Sequence, residues 1–371
     1  MSALIGSGPP QTSYDVALLD LDGVVYRGAQ PVAGAAAALA AARAAGMRLA
    51  FVTNNALREP GEVAAKLAGV GVPAEAADVV TSAQAAARML AERLDVGAPV
   101  LVCGGVGLRT AVEQAGLVPV ASAEDRPAAV VNGFDPTLDY PRLAEAALAI
   151  RSGALWVASN LDLTVPAERG LLPGAGSLVA LLRAATGKEP LVAGKPERAL
   201  HEESVARTGA RRPLVVGDRL DTDIEGGNRA DTPTLLVLTG VATLADVLRA
   251  GPVQRPALLG RDLAALARAH PAVEAVESPA ATGAAHAATC GAWRASAQDG
   301  CLSWQGVASA DGHAEQAGER DELDPLRAAL VAGWAATDAG RPVLSTVGDV
   351  PAGCDELELP ASSPDANRDS S

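Results

Sequence analysis

The sequence predicts an α/β fold built on parallel sheets. Three observations carry this. Short apolar runs without internal charge recur along residues 14–260, as expected of strands covered on both faces. Ala- and Leu-rich stretches of helical length lie between them. Gly, Pro, Asn or Asp punctuate the joins, and strands alternating with helices argue for parallel pairing.

In chain order, "DVALLD" reads as a buried strand, "GAAAALAAARAAG" as a helix ending near Gly46, and "RLAFVTNN" as the next strand. "PGEVAAKLAGVG" and "SAQAAARMLAERL" read as helices and "APVLVCGG" as a strand. "AAVVNGF", "LAEAALAIRSG", "ALWVASN" and "GSLVALLRAATG" continue the alternation. "PERALHEESVARTG" reads as a helix with Pro196 as its first residue, followed by the strands "PLVVGD" and "PTLLVLTG".

From about Pro271 the texture changes. Residues 271–289 are small and Ala/Pro-rich, a linker by composition. "AWRASA" and "CLSWQGVA" flank Gln298-Asp299-Gly300, a hairpin signal. "DPLRAALVAGWAATDAG" is a helix with Pro325 near its start and Gly340 at its end. Three of the four Trp lie here, which argues for a packed α+β module rather than an acidic tail. "SSPDANRDSS" reads as disordered.

Composition narrows the function. The 371 residues are more than one core usually serves, so two or three domains are expected. Aromatics are only 2%, so the cores must be built from Ala, Val and Leu. A formal charge of −14 argues against nucleic acid as a partner. Much of it sits in residues 271–371, which carry 16 acidic side chains against five Arg. Cys103, Cys290, Cys301 and Cys354 have neither zinc-site nor disulfide-framework spacing, which fits a cytoplasmic protein. The leader "MSALIGSGPPQTS" lacks the regions of a signal peptide and reads as flexible. Arg43 and Arg48 interrupt the Ala-rich stretch from Val32 to Val52, so no membrane span is expected there.

Four motifs carry chemistry. Asp20 and Asp22 stand two apart after an apolar strand and before Gly23. A cation between them would turn repulsion into binding, one carboxylate then attacking while the other moves a proton; a bare strand-end turn is the alternative. Thr53-Asn54-Asn55 can hold an anionic oxygen, or simply form a turn and helix cap. Lys195 is one of three Lys among 30 basic residues, and at a helix start it would need a shared anion. "LVVGDRLDTDIEGGNRAD" places Asp218, Asp221 and Asp223 after a strand, a cluster suited to oxygen-ligated Mg²⁺ or to helix capping.

Taken in order, Asp-x-Asp-Gly, Thr-Asn-Asn, Gly-Lys-Pro and Gly-Asp-x-x-x-Thr-Asp-Ile resemble the haloacid dehalogenase superfamily of phosphatases. Roughly 140 residues between Thr53 and Lys195 leave room for an inserted domain. This is similar to the subgroup with a large α/β cap, which holds 4-nitrophenyl-, phosphoglycolate and pyridoxal phosphate phosphatases. "ASNLDLTVPAERGLLPGAGSLVALLRAATG" is similar to the cap of actinobacterial glycerol 3-phosphate phosphatases. The resemblance covers about residues 14–260 and implies a Rossmann-like parallel-sheet core (14–82 and 190–268) and a cap (83–189); the C-terminal module (290–360) beyond the linker departs from most of the family. That module's hairpin, helix and final strand resemble a reduced acetyltransferase-like fold. No Gly-rich pyrophosphate loop precedes its helix, so a non-catalytic structural or interaction role is expected.

By the same resemblance Asp20 is the nucleophile and Asp22 the general acid and base. Thr53, Asn54, Asn55 and Lys195 bind the phosphoryl group. Asp20, the Asp22 carbonyl and Asp218 hold Mg²⁺, with Gly23 and Asp223 supporting. The implied substrate is a small phosphate monoester, glycerol 3-phosphate first, with 2-phosphoglycolate or nitrophenyl phosphate as alternatives. A non-hydrolytic phospho-switch and a dehalogenase are the rival classes. No nucleic acid or membrane is implied; a homodimer is admissible. Leu163-Thr164-Val165 lacks the His that pyridoxal phosphate phosphatases carry there, which lowers that substrate. Asn160, Asp162 and Arg169 are polar cap candidates. "CGGVGLRT" resembles a dinucleotide loop but has Thr110 in place of the third Gly, so a strand–helix turn is the better reading. His201, His270, His286 and His313 read as surface or linker residues.

Overall fold

Every residue of Val16–Leu19 is apolar, so both faces of this strand need cover. In the computed structural model, which describes residues 4–167, 169–276, 285–307 and 322–361, the segment is β1 of a six-stranded sheet. It is followed by α1 (Ala35–Ala44), β2 (Arg48–Thr53), α2 (Pro60–Gly69), β3 (Val79–Thr81) and α3 (Ser82–Ala91). Alternate residues of β1 feed opposite faces. Ala17 and Leu19 join Leu49, Phe51, Leu214 and Val216 on one side. Val16 and Leu18 join Ala50, Val52, Val80 and Val215 on the other.

The chain then builds the cap: β4 (Pro99–Cys103), α4 (Val106–Gln114), β5 (Val118–Val120), β6 (Ala129–Asn132), α5 (Tyr140–Arg151) and β7 (Leu155–Ala158). The hairpin β8 (Thr164–Ala167) and β9 (Gly170–Pro173), α6 (Ala175–Thr186) and β10 (Leu191–Val192) complete it. Its five-stranded sheet runs β10-β7-β6-β4-β5, all parallel. Val100, Val102, Val131 and Val157 from this sheet join the same apolar cluster as Leu18 and Val52, so cap and core share one interior.

The core resumes with α7 (Arg198–Thr208), β11 (Pro213–Gly217), β12 (Thr234–Val237), α8 (Leu244–Arg249) and β13 (Leu258–Gly260). The six-strand order is β13-β12-β11-β1-β2-β3, parallel throughout. Strands carrying Asp20, Thr53 and Asp218 are therefore neighbours, and all three residues emerge at one edge, where such sheets place ligands.

A third sheet follows: β14 (Glu274–Val276), β15 (His286–Cys290), β16 (Trp293–Gln298), β17 (Cys301–Gly306) and, after α9 (Asp324–Asp338), β18 (Ser345–Thr346). The hairpin turn is Asp299-Gly300, both at positive φ, as a two-residue turn of this hand requires. Helix α9 lies between this sheet and the core. Leu326, Leu330 and Trp334 share a cluster with Leu236, Val247, Leu248 and Leu259. The Trp334 indole donates to the Val247 carbonyl at 2.8 Å, and buried Arg327 donates to the Leu259 carbonyl at 3.0 Å. Arg255 grips Asp338 with two hydrogen bonds and stacks over Trp334.

Three expectations are corrected. From Leu4 onward the leader packs down: Leu4 is buried, and the Leu4 and Ile5 amides donate to the Pro256 and Ala257 carbonyls. The stretch 271–289 holds β14 and all but the last residue of β15, whose small Ala287 and Ala288 are buried where the two strands pair; residues 277–284 lie outside the described residues. His270 is buried with its Nε2 3.0 Å from the Ala265 carbonyl, and His201 pairs with the Thr232 hydroxyl at 2.9 Å. Burial and then Arg198 push His201 down to about 4. His313 and residues 362–371 lie outside the described residues. Among the described residues, no helix is long and apolar enough to cross a membrane.

A chain ending at residue 270 would expose Leu236, Leu248 and Leu259, so it is expected to lose soluble folding. Soluble monomer with an unchanged melting temperature would contradict this. Trp334→Ala is expected to destabilise the full chain by about 3–5 kcal/mol in urea unfolding.

Candidate active site

Asp20 follows directly on β1, and its amide still donates to the Val216 carbonyl at 2.8 Å, so strand register fixes its position. The chain then turns sharply through Gly23, at φ +88°. Space also demands Gly there: a Cβ would lie 2.4 Å from Asp218 Oδ2. The Asp22 side chain is exposed, with Oδ1 3.4 Å from the Gly28 amide.

Asp218 follows β11 and is fully buried. Its Oδ2 accepts the Val241 amide at 2.8 Å, while its Oδ1 is buried with no hydrogen-bond partner. A Cβ on Gly240 would lie 1.8 Å from Asp218 Oδ2, so that glycine admits the carboxylate. Asp223 sits in the π-helical turn Leu220–Ile224 and is 2% exposed. Its Oδ2 accepts the Arg219 amide at 3.2 Å. Carboxylate oxygens of Asp20, Asp218 and Asp223 lie within 4.8 Å of one another, a spacing that could hold a metal ion. Asp221 is turned away, bonded twice by Arg219, which holds its carboxyl below the usual range.

Burial first, and then the Asp223 charge, push Asp218 up to about 6. Burial raises Asp20 as well, with Lys195 opposing and Asp223 and Asp218 adding to it. Lys195 Nζ donates to Asp20 Oδ1 at 2.5 Å, Asp223 Oδ1 at 2.7 Å and the Val52 carbonyl at 3.3 Å. Burial would lower its own proton affinity, but the two carboxylates outweigh that and raise it.

The helix after Lys195 begins later than expected. Pro196 is not its first residue: α7 starts at Arg198 behind the N-cap Glu197. Lys195 is instead held by Asn54, whose Oδ1 accepts its amide at 2.8 Å. Both donors of that carboxamide are also engaged, with the Lys195 carbonyl at 3.2 Å and Asp162 Oδ2 at 3.1 Å. Thr53 is buried at the end of β2, its hydroxyl accepting the Asn55 amide at 3.1 Å. Asn55 is exposed and its side chain caps the Leu57 amide at 2.8 Å.

The structure thus gathers Asp20, Asp218, Asp223 and Lys195, places Thr53 and Asn54 on the adjoining strand end, and leaves Asp22 and Asn55 at the rim. Asn160 is buried and donates to the Asn54 carbonyl at 2.7 Å; Arg169 is exposed. "CGGVGLRT" is a strand–helix turn from β4 to α4, and its Thr110 hydroxyl donates to Glu59 at 2.6 Å. Sequence reading missed Ser82, Gly240 and Val241. For the glycine the available signal was a small residue beside a polar loop; for the Ser82 hydroxyl and the Val241 amide there was none.

A family model described as haloacid dehalogenase-like hydrolase matches residues 17–118, and a second of the same kind, described as HAD-hydrolase-like, matches residues 192–266. The chain is 56% identical over 253 residues to a D-glycerol 3-phosphate phosphatase of Mycobacterium tuberculosis, covering 68% of this chain and 71% of that protein. It is 38% identical to an acid sugar phosphatase of Staphylococcus saprophyticus, over 63% of this chain and 90% of that one. The crystal structure of a glycerol phosphate phosphatase from M. tuberculosis in complex with magnesium matches with TM-score 0.81 and 44% identity, covering 95% of this chain and 98% of that one. A 4-nitrophenylphosphatase from Thermotoga maritima matches with TM-score 0.64 and 32% identity, covering 69% of this chain and 97% of that one.

The raised Asp218 has a consequence for stability. Its unfolded value is near 3.8, so stability from its protonation is full below about pH 4 and is lost as pH rises through about 6. A divalent cation held there would compete with that proton. In EDTA the melting temperature is expected to fall as pH rises through this window, and the increment from added MgCl₂ to grow. Equal increments on both sides of it would contradict the assignment.

Proposed function

The chain belongs to the haloacid dehalogenase-like hydrolases, and from that premise we propose that it is a Mg²⁺-dependent phosphatase of a small phosphate monoester, with glycerol 3-phosphate as leading substrate. The observation that carries this is one ammonium set among three carboxylates, one of which keeps a buried oxygen without a partner. An all-oxygen donor set of this kind fits Mg²⁺. Asp20, the Asp22 carbonyl and Asp218 would hold it, with Asp223 supporting. When bound, it supplies charge neutralisation for the phosphoryl oxygens.

The protein's own groups account for the steps. An Asp20 oxygen bonds to phosphorus as the ester's P–O bond breaks, and the Asp22 carboxyl gives its proton to the leaving alcohol oxygen. Asp22, now a carboxylate, takes a proton from water, whose oxygen bonds to the same phosphorus. That step breaks the aspartyl-phosphate and releases orthophosphate and Asp20. Thr53 and the Asn54 backbone amide hold the phosphoryl oxygens, and Lys195 offsets charge on Asp20. No disulfide joins the four cysteines, which suits the cytoplasm. The C-terminal module is read as structural, since its helix closes the core's apolar face.

Similarity to the M. tuberculosis D-glycerol 3-phosphate phosphatase supports glycerol 3-phosphate; the nitrophenyl- and acid sugar phosphatases keep other esters in view. A kinetic panel of glycerol 3-phosphate, 2-phosphoglycolate and 4-nitrophenyl phosphate with Mg²⁺ decides. Glycerol 3-phosphate is expected to give the highest kcat/KM, and a place among the poorest would sink that choice. Asp20→Asn is expected to lower kcat by about 10⁴-fold or more with the melting temperature preserved.

A further inference from the structure

We propose that Asn54 is a positioning residue whose carboxamide ties the cap's Asp162 to the peptide of Lys195, so that the cap sets where the Lys195 ammonium stands. The inference rests on the phosphatase reading and concerns the same site. Its first support is the three-way use of one side chain. Asn54 Oδ1 accepts the Lys195 amide at 2.8 Å, and Nδ2 donates to the Lys195 carbonyl at 3.2 Å and to Asp162 Oδ2 at 3.1 Å. No hydrogen on that amide is left for a substrate.

The second support is connectivity. Lys195 leaves the cap sheet three residues after β10, and the Ala193 amide still donates to the Ala158 carbonyl at the end of β7. Asn160 and Asp162 leave the same β7. The Asn54 carbonyl accepts Asn160 Nδ2 at 2.7 Å and the Ser82 hydroxyl at 2.6 Å. Ser82 begins the first passage from core to cap and Lys195 ends the second, so Asn54 touches both crossings.

The third support is close packing that forbids slack. A Cβ on Gly194 would lie 2.6 Å from Asn54 Oδ1 and 2.6 Å from the Ser159 carbonyl. A Cβ on Gly174 would lie 2.3 Å from the Asp162 carbonyl, and one on Gly176 would lie 2.1 Å from that of Leu161. The Asp162 loop is thus seated on the start of α6, and the Gly176 amide donates to the Asp162 carbonyl at 2.9 Å. Both ends of the tie are held, so a change in the middle moves Lys195 relative to Asp20.

The test uses the full chain with 4-nitrophenyl phosphate and Mg²⁺. Asn54→Asp keeps the acceptor for the Lys195 amide but removes both donors and sets like charge against Asp162. It is expected to lower kcat by about 10- to 100-fold while KM changes less than about 3-fold. Adding Asp162→Asn returns a donor to that contact and is expected to recover kcat by at least about 5-fold. Should Asn54→Asp fail to fold, Asp162→Ala removes only the cap's acceptor and is expected to lower kcat at least about 3-fold with KM nearly unchanged. Wild-type kcat in Asn54→Asp or Asp162→Ala, or a double variant no better than Asn54→Asp, overturns the inference. A wild-type chain inactive on every phosphate ester would instead overturn the phosphatase reading.

Discussion

The site depends on one buried ammonium. Lys195 Nζ bonds Asp20 and Asp223 in an interior where neither carboxylate is well hydrated. Removing charge from water costs several kcal/mol per ion, and only close opposite charge and hydrogen bonds offset that. One ammonium cannot balance three carboxylates: Asp218, raised first by burial and then by the Asp223 charge, has an oxygen without a partner. Gly23, Gly217 and Gly240 exist for the same reason: a Cβ on any of them would collide with Asp218 or Asp223. The residual negative charge is what makes the place receptive to a cation and, through it, to a phosphoryl group.

The rest of the molecule holds that arrangement from two sides. The cap shares an apolar cluster with the core and delivers Lys195 from its own edge strand, so cap and Lys195 ammonium are one mechanical piece. On the other side, the Val241 amide that fixes Asp218 lies just before α8. That helix is covered by Leu330 and Trp334 of α9. The acidic C-terminal module therefore bears on the site through packing, though among the described residues it contributes none of the clustered carboxylates.

Much of this was legible in the sequence because it depends on local pattern. Uncharged apolar runs marked the buried strands, and the carboxylates stood directly after them at Asp20 and Asp218. What stayed hidden was set by long-range contact. Nothing near Pro196 shows that Asn54, 141 positions away, holds Lys195 in place of a helix start. The Ala-rich residues after Pro271 read as a linker because small side chains suit both a tether and a tightly packed strand. Leu4 and His270 were misread because their backbone partners, Pro256 for the one and Ser7 for the other, stand far away in sequence. Asp162 was visible as a polar cap residue, but its partner could only come from the fold.

The central claim is that Asp20 bonds covalently to phosphorus. Acyl phosphates are reduced by borohydride, so a reaction quenched in turnover and treated with borohydride converts the phosphorylated aspartate to homoserine. Peptide mass mapping is predicted to find homoserine at position 20, only when substrate and Mg²⁺ were both present. Homoserine at another aspartate, or none while turnover proceeds, would contradict the account.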